Sequence, residues 1–191
     1  MKTNKTSRES LSVLYEKYSA SLYSYGCKFT ADREFVKDCI HDVFVKMYEK
    51  EYNLSNIQDM KFYLLRSLKN RLLDGLSDTK TRKTDSIDDE ASFSYIYGSL
   101  DENKLMDINE TDKLRKEYIE KIFEHLTGRQ KEAVYLYYIE ELTYAEICKL
   151  LGINYQSLRN TIHRALERLR EKLGDKPPPF LMFFMLFFKK K

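Results

Sequence analysis

Proline is nearly missing from this chain: there are three in 191 residues, and they stand together at Pro177–Pro179. Everything ahead of them is therefore clear of the residue that most often breaks a helix. Six scattered glycines exclude a glycine-rich phosphate loop. Three cysteines, Cys27, Cys39 and Cys148, lack metal-ligand spacing and sit in apolar helical contexts. They are expected to be reduced core residues, so neither a disulfide framework nor a metal site is anticipated. There are no paired carboxylates in a pocket-like context and no nucleophile motif, so no catalytic residue, cofactor or small-molecule substrate is expected. An enzyme acting on DNA would need a metal or nucleophile cluster that this sequence does not supply. The nine apolar residues Phe180–Phe188 fall short of the roughly 20 that cross a bilayer. The polar opening MKTNKTSRES has no secretory character, and the expected location is the cytoplasm.

What is present is charge, and it is segregated. The formal net charge is only +3, yet residues 1–84 hold 16 Lys and Arg against 11 Asp and Glu. Residues 85–112 hold 1 against 9, residues 113–176 hold 13 against 10, and the chain closes on three lysines. Two basic blocks separated by an acidic one suit two phosphate-facing modules with a repelling linker between them.

The most informative stretch is Leu142–Leu173. Thr143 and Glu146 have capping-box spacing, Ile147, Leu150 and Leu151 share a face, and Gly152 stands where a left-handed helix end is needed. Asn154 then caps a second helix in which Leu158, Ile162, Leu166, Leu169 and Leu173 recur every three or four residues. Tyr155, Gln156, Arg159, Asn160, His163 and Arg164 are left on the opposite face. Two capped helices, a short turn and an outer face of Arg, Asn and Gln make a DNA-reading helix-turn-helix, in preference to a solvated helical hairpin.

Elsewhere, residues 8–30 read as a Tyr-rich amphipathic helix with Leu11, Leu14, Tyr15, Tyr18, Leu22, Tyr25 and Phe29 inward. A second helix, about Asp32 to Glu49, turns Phe35, Ile40, Val43, Phe44 and Met47 inward and Asp38, His41 and Asp42 outward. A third, about Asp59 to Leu76, buries Phe62, Leu65, Leu68, Leu72 and Leu73. It exposes Lys61, Arg66, Lys69, Asn70 and Arg71 near Tyr63, a combination suited to unpaired bases and their phosphates. Its charges suit an ordinary solvated face equally well. A helix from about Asp112 to Glu124 and another capped by Thr127 and Gln130 lead into the helix-turn-helix. The expected architecture is all-α. A helical domain over residues 1–82 and a flexible acidic linker over 83–111 precede a winged-helix-like four-helix unit without strands over 112–176. A tail of proline, apolar residues and lysine, 177–191, fits shallow membrane contact, a partner groove, folding back on the chain, or a degradation signal. Whether the two modules touch is not legible.

The runs REFVKDCIHDVFVKMYEK and FYLLRSLKNRLLDGL, followed later by LTGRQKEAVYLYYIEELTYAEICKLLGI and SLRNTIHRALERLR, resemble bacterial RNA polymerase sigma factors of the sigma-70 family, extracytoplasmic-function group. The resemblance implies a promoter-specificity subunit with two partners, core RNA polymerase and promoter DNA. It gives polymerase docking to Asp38, His41 and Asp42, although the family usually has Gln where His41 stands, a change that would weaken docking or make it pH-sensitive. It implies capture of a flipped base and a melted strand at the −10 element by Lys61, Tyr63, Arg66, Lys69, Asn70 and Arg71. It sets Tyr155, Gln156, Arg159, Asn160, His163 and Arg164 in the major groove at the −35 element. Thr161 stands where the family often has a further basic residue. An anti-sigma protein, often anchored in the inner membrane, is a further implied partner. The competing expectation is a stand-alone helix-turn-helix regulator that binds operators as a dimer.

Overall fold

The structure is a computed structural model, and it describes residues 3–49, 59–80 and 123–173. Six helices and no strands occur among the described residues: α1 (Thr3–Gly26), α2 (Arg33–Glu49), α3 (Met60–Lys80), α4 (Gly128–Tyr138), α5 (Tyr144–Leu151) and α6 (Tyr155–Leu173). The acidic linker, most of the helix expected over 112–124 and the apolar tail lie outside the described residues.

Helices α1, α2 and α3 pack mutually into a three-helix unit. The sequence carries α1 to about Thr30, but it stops at Gly26, where the N–H groups of Cys27, Lys28 and Phe29 fold back onto Tyr23, Tyr25 and Gly26 carbonyls. Packing dictates that stop, since a Cβ at Gly26 would lie 2.6 Å from Cγ1 of Val36 on α2. Asp32 and Asp59 cap α2 and α3, accepting from the N–H groups of Phe35 at 3.0 Å and Phe62 at 2.9 Å. The core holds Leu22, Tyr25, Val36, Cys39, Ile40, Leu64, Leu65, Leu68 and Leu72. Two expected core residues are half out: Leu73 is 37% and Tyr15 48% exposed. Adjacent helical residues differ by about 100° of rotation, so a Leu72–Leu73 pair cannot both face inward. Tyr15 instead lays its ring edge-on against Phe44, 5.1 Å between centroids.

The second unit is assembled largely from local signals. Thr127 with Gln130, and Thr143 with Glu146, form reciprocal capping boxes that start α4 and α5. Gly152 ends α5 in the left-handed region at φ 65°, and Asn154 accepts the Ser157 N–H at 2.8 Å to start α6. Ile147, Leu150, Leu158, Ile162 and Leu169 are buried as their spacing requires, and Leu166 is half-buried. Each of the buried ones contributes about 1.5–3 kcal/mol by leaving water.

The two units touch. Leu22 and Tyr25 of the first and Ala133, Tyr135 and Leu136 of the second belong to one continuous apolar cluster. Its polar margin carries Glu132 and Glu140, both buried, with the Tyr25 and Tyr135 rings stacked 6.0 Å apart. Among the described residues no helix is long and apolar enough to cross a membrane.

Candidate nucleic-acid interfaces

The helix-turn-helix aims α6 outward. Tyr155, Gln156, Arg159, Asn160, His163 and Arg164 are all exposed, so the six residues singled out from the sequence form one accessible face. Capping by Asn154 fixes where that face begins, and burial of Leu158, Ile162 and Ala165 fixes its rotation. Gln156 donates to Asn160 at 3.2 Å, leaving the Gln156 carbonyl and the Asn160 amide directed outward as a paired acceptor and donor. His163 Nδ1 lies 3.4 Å from Glu167 one turn on. Beside this face is a recess of about 420 Å³ whose walls include Arg129, Asn160, Thr161, Arg164 and Arg168. Arg129 and Arg168 were not singled out from the sequence. Arg168 is tethered by donating to Gln130 at 3.0 Å, which places a guanidinium at the start of α4. The available signal was Arg168 four residues after Arg164, one helical turn along the same stripe.

Between α2 and α3 lies a smaller recess of about 200 Å³, lined by Asp42, Lys46, Tyr63, Ser67, Asn70 and Arg71 among others. Asn70 is exposed and Tyr63 half-buried, so an aromatic edge and an amide border one opening. That pairing of ring and amide is what an unstacked base needs. Arg66 is exposed on the same helix.

The other cations of α3 are engaged. Arg71 Nε donates to Asp42 at 2.8 Å, and the Asp42 carboxylate raises the guanidinium above its ordinary pKa. The sequence assigned Asp42 to one surface and Arg71 to another, yet each is the other's partner. Asp38 and His41 remain exposed on α2. Lys61 Nζ lies 2.8 Å from Glu140 Oε2, and Lys69 Nζ lies 2.8 Å from Glu132 Oε1, with only 14% of the Lys69 side chain exposed. Tyr25 donates to the same Glu132 oxygen at 2.7 Å. Burial first, and Glu132 second, hold the Tyr25 hydroxyl well above its ordinary pKa.

Comparison with known proteins agrees with this arrangement. Residues 14–82 match the model of sigma-70 region 2, and residues 116–169 match that of sigma-70 region 4, which between them span more than half of the chain. The extracytoplasmic-function sigma factor SigM of Bacillus subtilis (strain 168) is 24% identical over 157 residues, 82% of this chain and 91% of SigM. The sigma factor YlaC of the same organism is 23% identical over 167 residues, 87% of this chain and 93% of YlaC. Among solved structures, the fold is shared with the sigma factor RpoE of Bartonella quintana, crystallised with the anti-sigma factor NepR. The TM-score there is 0.58 at 18% identity, covering 88% of this chain and 99% of that one. It is shared also with CnrH, solved with the cytosolic domain of CnrY, at TM-score 0.55 and 15% identity, covering 90% and 92%. With region 2 and region 4 both present, in that order, the chain belongs to the sigma-70 family of RNA polymerase sigma factors, extracytoplasmic-function group.

Proposed function

We propose that this chain binds core RNA polymerase in the cytoplasm and directs transcription initiation by presenting two different DNA-facing surfaces. The observation that carries the reading is their coexistence in one molecule. A recess bordered by Tyr63 and Asn70 suits an unpaired base, and an exposed α6 face headed by Gln156, Arg159 and Asn160 suits an intact major groove. In this reading residues 1–82 dock on the polymerase through Asp38 and His41 and hold the opened −10 strand. Residues 83–111 tether the modules, and residues 112–176 read the −35 element. Arg129, Arg164 and Arg168 around the α6 recess grip phosphate and set register. No chemistry is asked of the chain beyond binding.

Neither module buries enough surface for tight, specific binding alone. Both held on one polymerase act at high effective concentration. The two solved neighbours are each described with a protein that binds them, NepR for RpoE and the cytosolic domain of CnrY for CnrH. By the same logic an anti-sigma protein restrains this chain.

The test is reconstitution. Purified chain mixed with core polymerase lacking any other specificity subunit should yield transcripts from a defined start. Failure to co-elute with core, together with a footprint on a palindrome by the chain alone, would replace this reading with that of a dimeric operator-binding regulator.

A further inference from the structure

Lys61 and Lys69 project from the face of α3 that the proposed function assigns to the opened strand, and both are already occupied from the helix-turn-helix unit. Glu140 receives Lys61 twice, on Oε2 and on its own backbone carbonyl, each at 2.8 Å, and Ser21 of α1 donates to the same Oε2 at 2.7 Å. Glu132 receives Lys69 and Tyr25 on one oxygen. The two carboxylates are 4% and 6% exposed, so they are built into the contact rather than resting on it. A buried carboxylate is costly unless cations and donors face it, and here they do. Glu140 is aimed inward by the turn after α4, in which the next residue, Glu141, takes up a left-handed backbone at φ 56°. The same turn is pinned by the N–H groups of Glu140 and Leu142 donating to the carbonyls of Tyr135 and Leu136.

A carboxylate and a backbone phosphate offer a lysine the same thing: an anionic oxygen acceptor. We propose that the free chain is self-occluded, with Glu132 and Glu140 standing where phosphates of the opened strand would lie, so that strand binding requires the two modules to separate. This rests on the strand-binding role of α3 proposed above. The occlusion is one-sided. The α6 face stays exposed, so the closed chain withholds the surface for melted DNA while leaving the surface for duplex open. A melted strand is thereby refused until something else, the polymerase in this account, draws the modules apart.

The experiment compares three full-length proteins: wild type, the double variant E132Q/E140Q, and the charge-matched control E124Q/E171Q, whose carboxylates are exposed and distant from Lys61 and Lys69 in sequence. Each is titrated with a short fluorescent single-stranded oligonucleotide, and its radius of gyration is measured by small-angle scattering. The expected result is strand affinity about tenfold higher in E132Q/E140Q than in the control, the occluded fraction having been removed, with a larger radius. Equal affinity and equal radius in the two would overturn the proposal. Wild-type protein gives a second reading independent of how the variant folds. Lys61 and Lys69 should react with an amine-directed reagent more slowly than exposed Lys37 and Lys46 in the free chain, and faster once core polymerase is added. Unchanged reactivity on adding core would also overturn it. Failure of the function itself shows differently, as absence of initiation by wild type with core, whatever the lysine reactivity.

Discussion

The Nζ of Lys69 on α3 and Oε1 of Glu132 on α4 lie 2.8 Å apart across the boundary between two helical modules, with little of either side chain reaching solvent. The consequence for stability is asymmetric. Removing Glu132 strands both a shielded ammonium and the Tyr25 hydroxyl. Glu132→Ala should therefore lower unfolding free energy by about 3 kcal/mol, read as a denaturant midpoint shift at constant slope. Breaking the exposed Lys37–Glu34 pair with Lys37→Ala should leave the midpoint in place.

Tyr25 adds a pH signature to the same boundary. Its hydroxyl pKa is raised by burial and then by Glu132. Because the folded value exceeds the unfolded one, its contribution is fully present below the ordinary tyrosine pKa of about 10 and is lost as pH rises beyond it. Denaturation followed from neutral to strongly alkaline pH should show this loss in wild type, and Tyr25→Phe should flatten it.

Two turn residues should respond in opposite directions. Gly152 adopts φ 65°, and an added Cβ there meets nothing within 4 Å, so Gly152→Ala is penalised by backbone conformation alone, about 1 kcal/mol. Glu141 holds a comparable φ with a full side chain, so Glu141→Gly should relieve strain and stabilise by up to about 1 kcal/mol. Thermal unfolding of the two variants checks the signs.

These positions also separate what the sequence shows from what it hides. The turn at Gly152, the caps at Thr143 and Asn154 and the outward set on α6 are local, so residues three or four apart determine them, and all were legible. The contacts between modules join residues far apart in the chain, Lys69 with Glu132 and Ser21 with Glu140, and no periodicity reports such a pairing. Lys61 and Lys69 therefore read as free cations. The hint was Glu132 beside Ala133 and Val134 at the start of an apolar run, a carboxylate where burial would demand a partner. Leu73 failed for a different reason: two adjacent leucines on a helix do not say which faces the core.

The two DNA surfaces should fail differently when altered. Arg159→Ala should cost about 1–3 kcal/mol on the preferred upstream sequence and relax the choice of base. Arg129→Ala should weaken all sequences alike and reduce the salt slope by about 1. Competition binding with polymerase-bound chain distinguishes them.

On the other surface, Tyr63→Ala should lose about 1–3 kcal/mol of strand affinity by removing a stacking ring. Asn70→Ala should slow promoter opening while leaving polymerase docking intact. Opening is followed by the fluorescence of a 2-aminopurine in the melted segment, and equal opening by Asn70→Ala would reject base capture.

The central claim is that one chain, seated on polymerase, holds an intact groove and an opened strand at once. Permanganate footprinting of a promoter with chain and core together tests it most directly. The account predicts reactive unpaired thymines just upstream of the start, a protected duplex segment further upstream, and loss of both when core is omitted. A protected palindrome with chain alone, and no reactive thymines with core present, would contradict it.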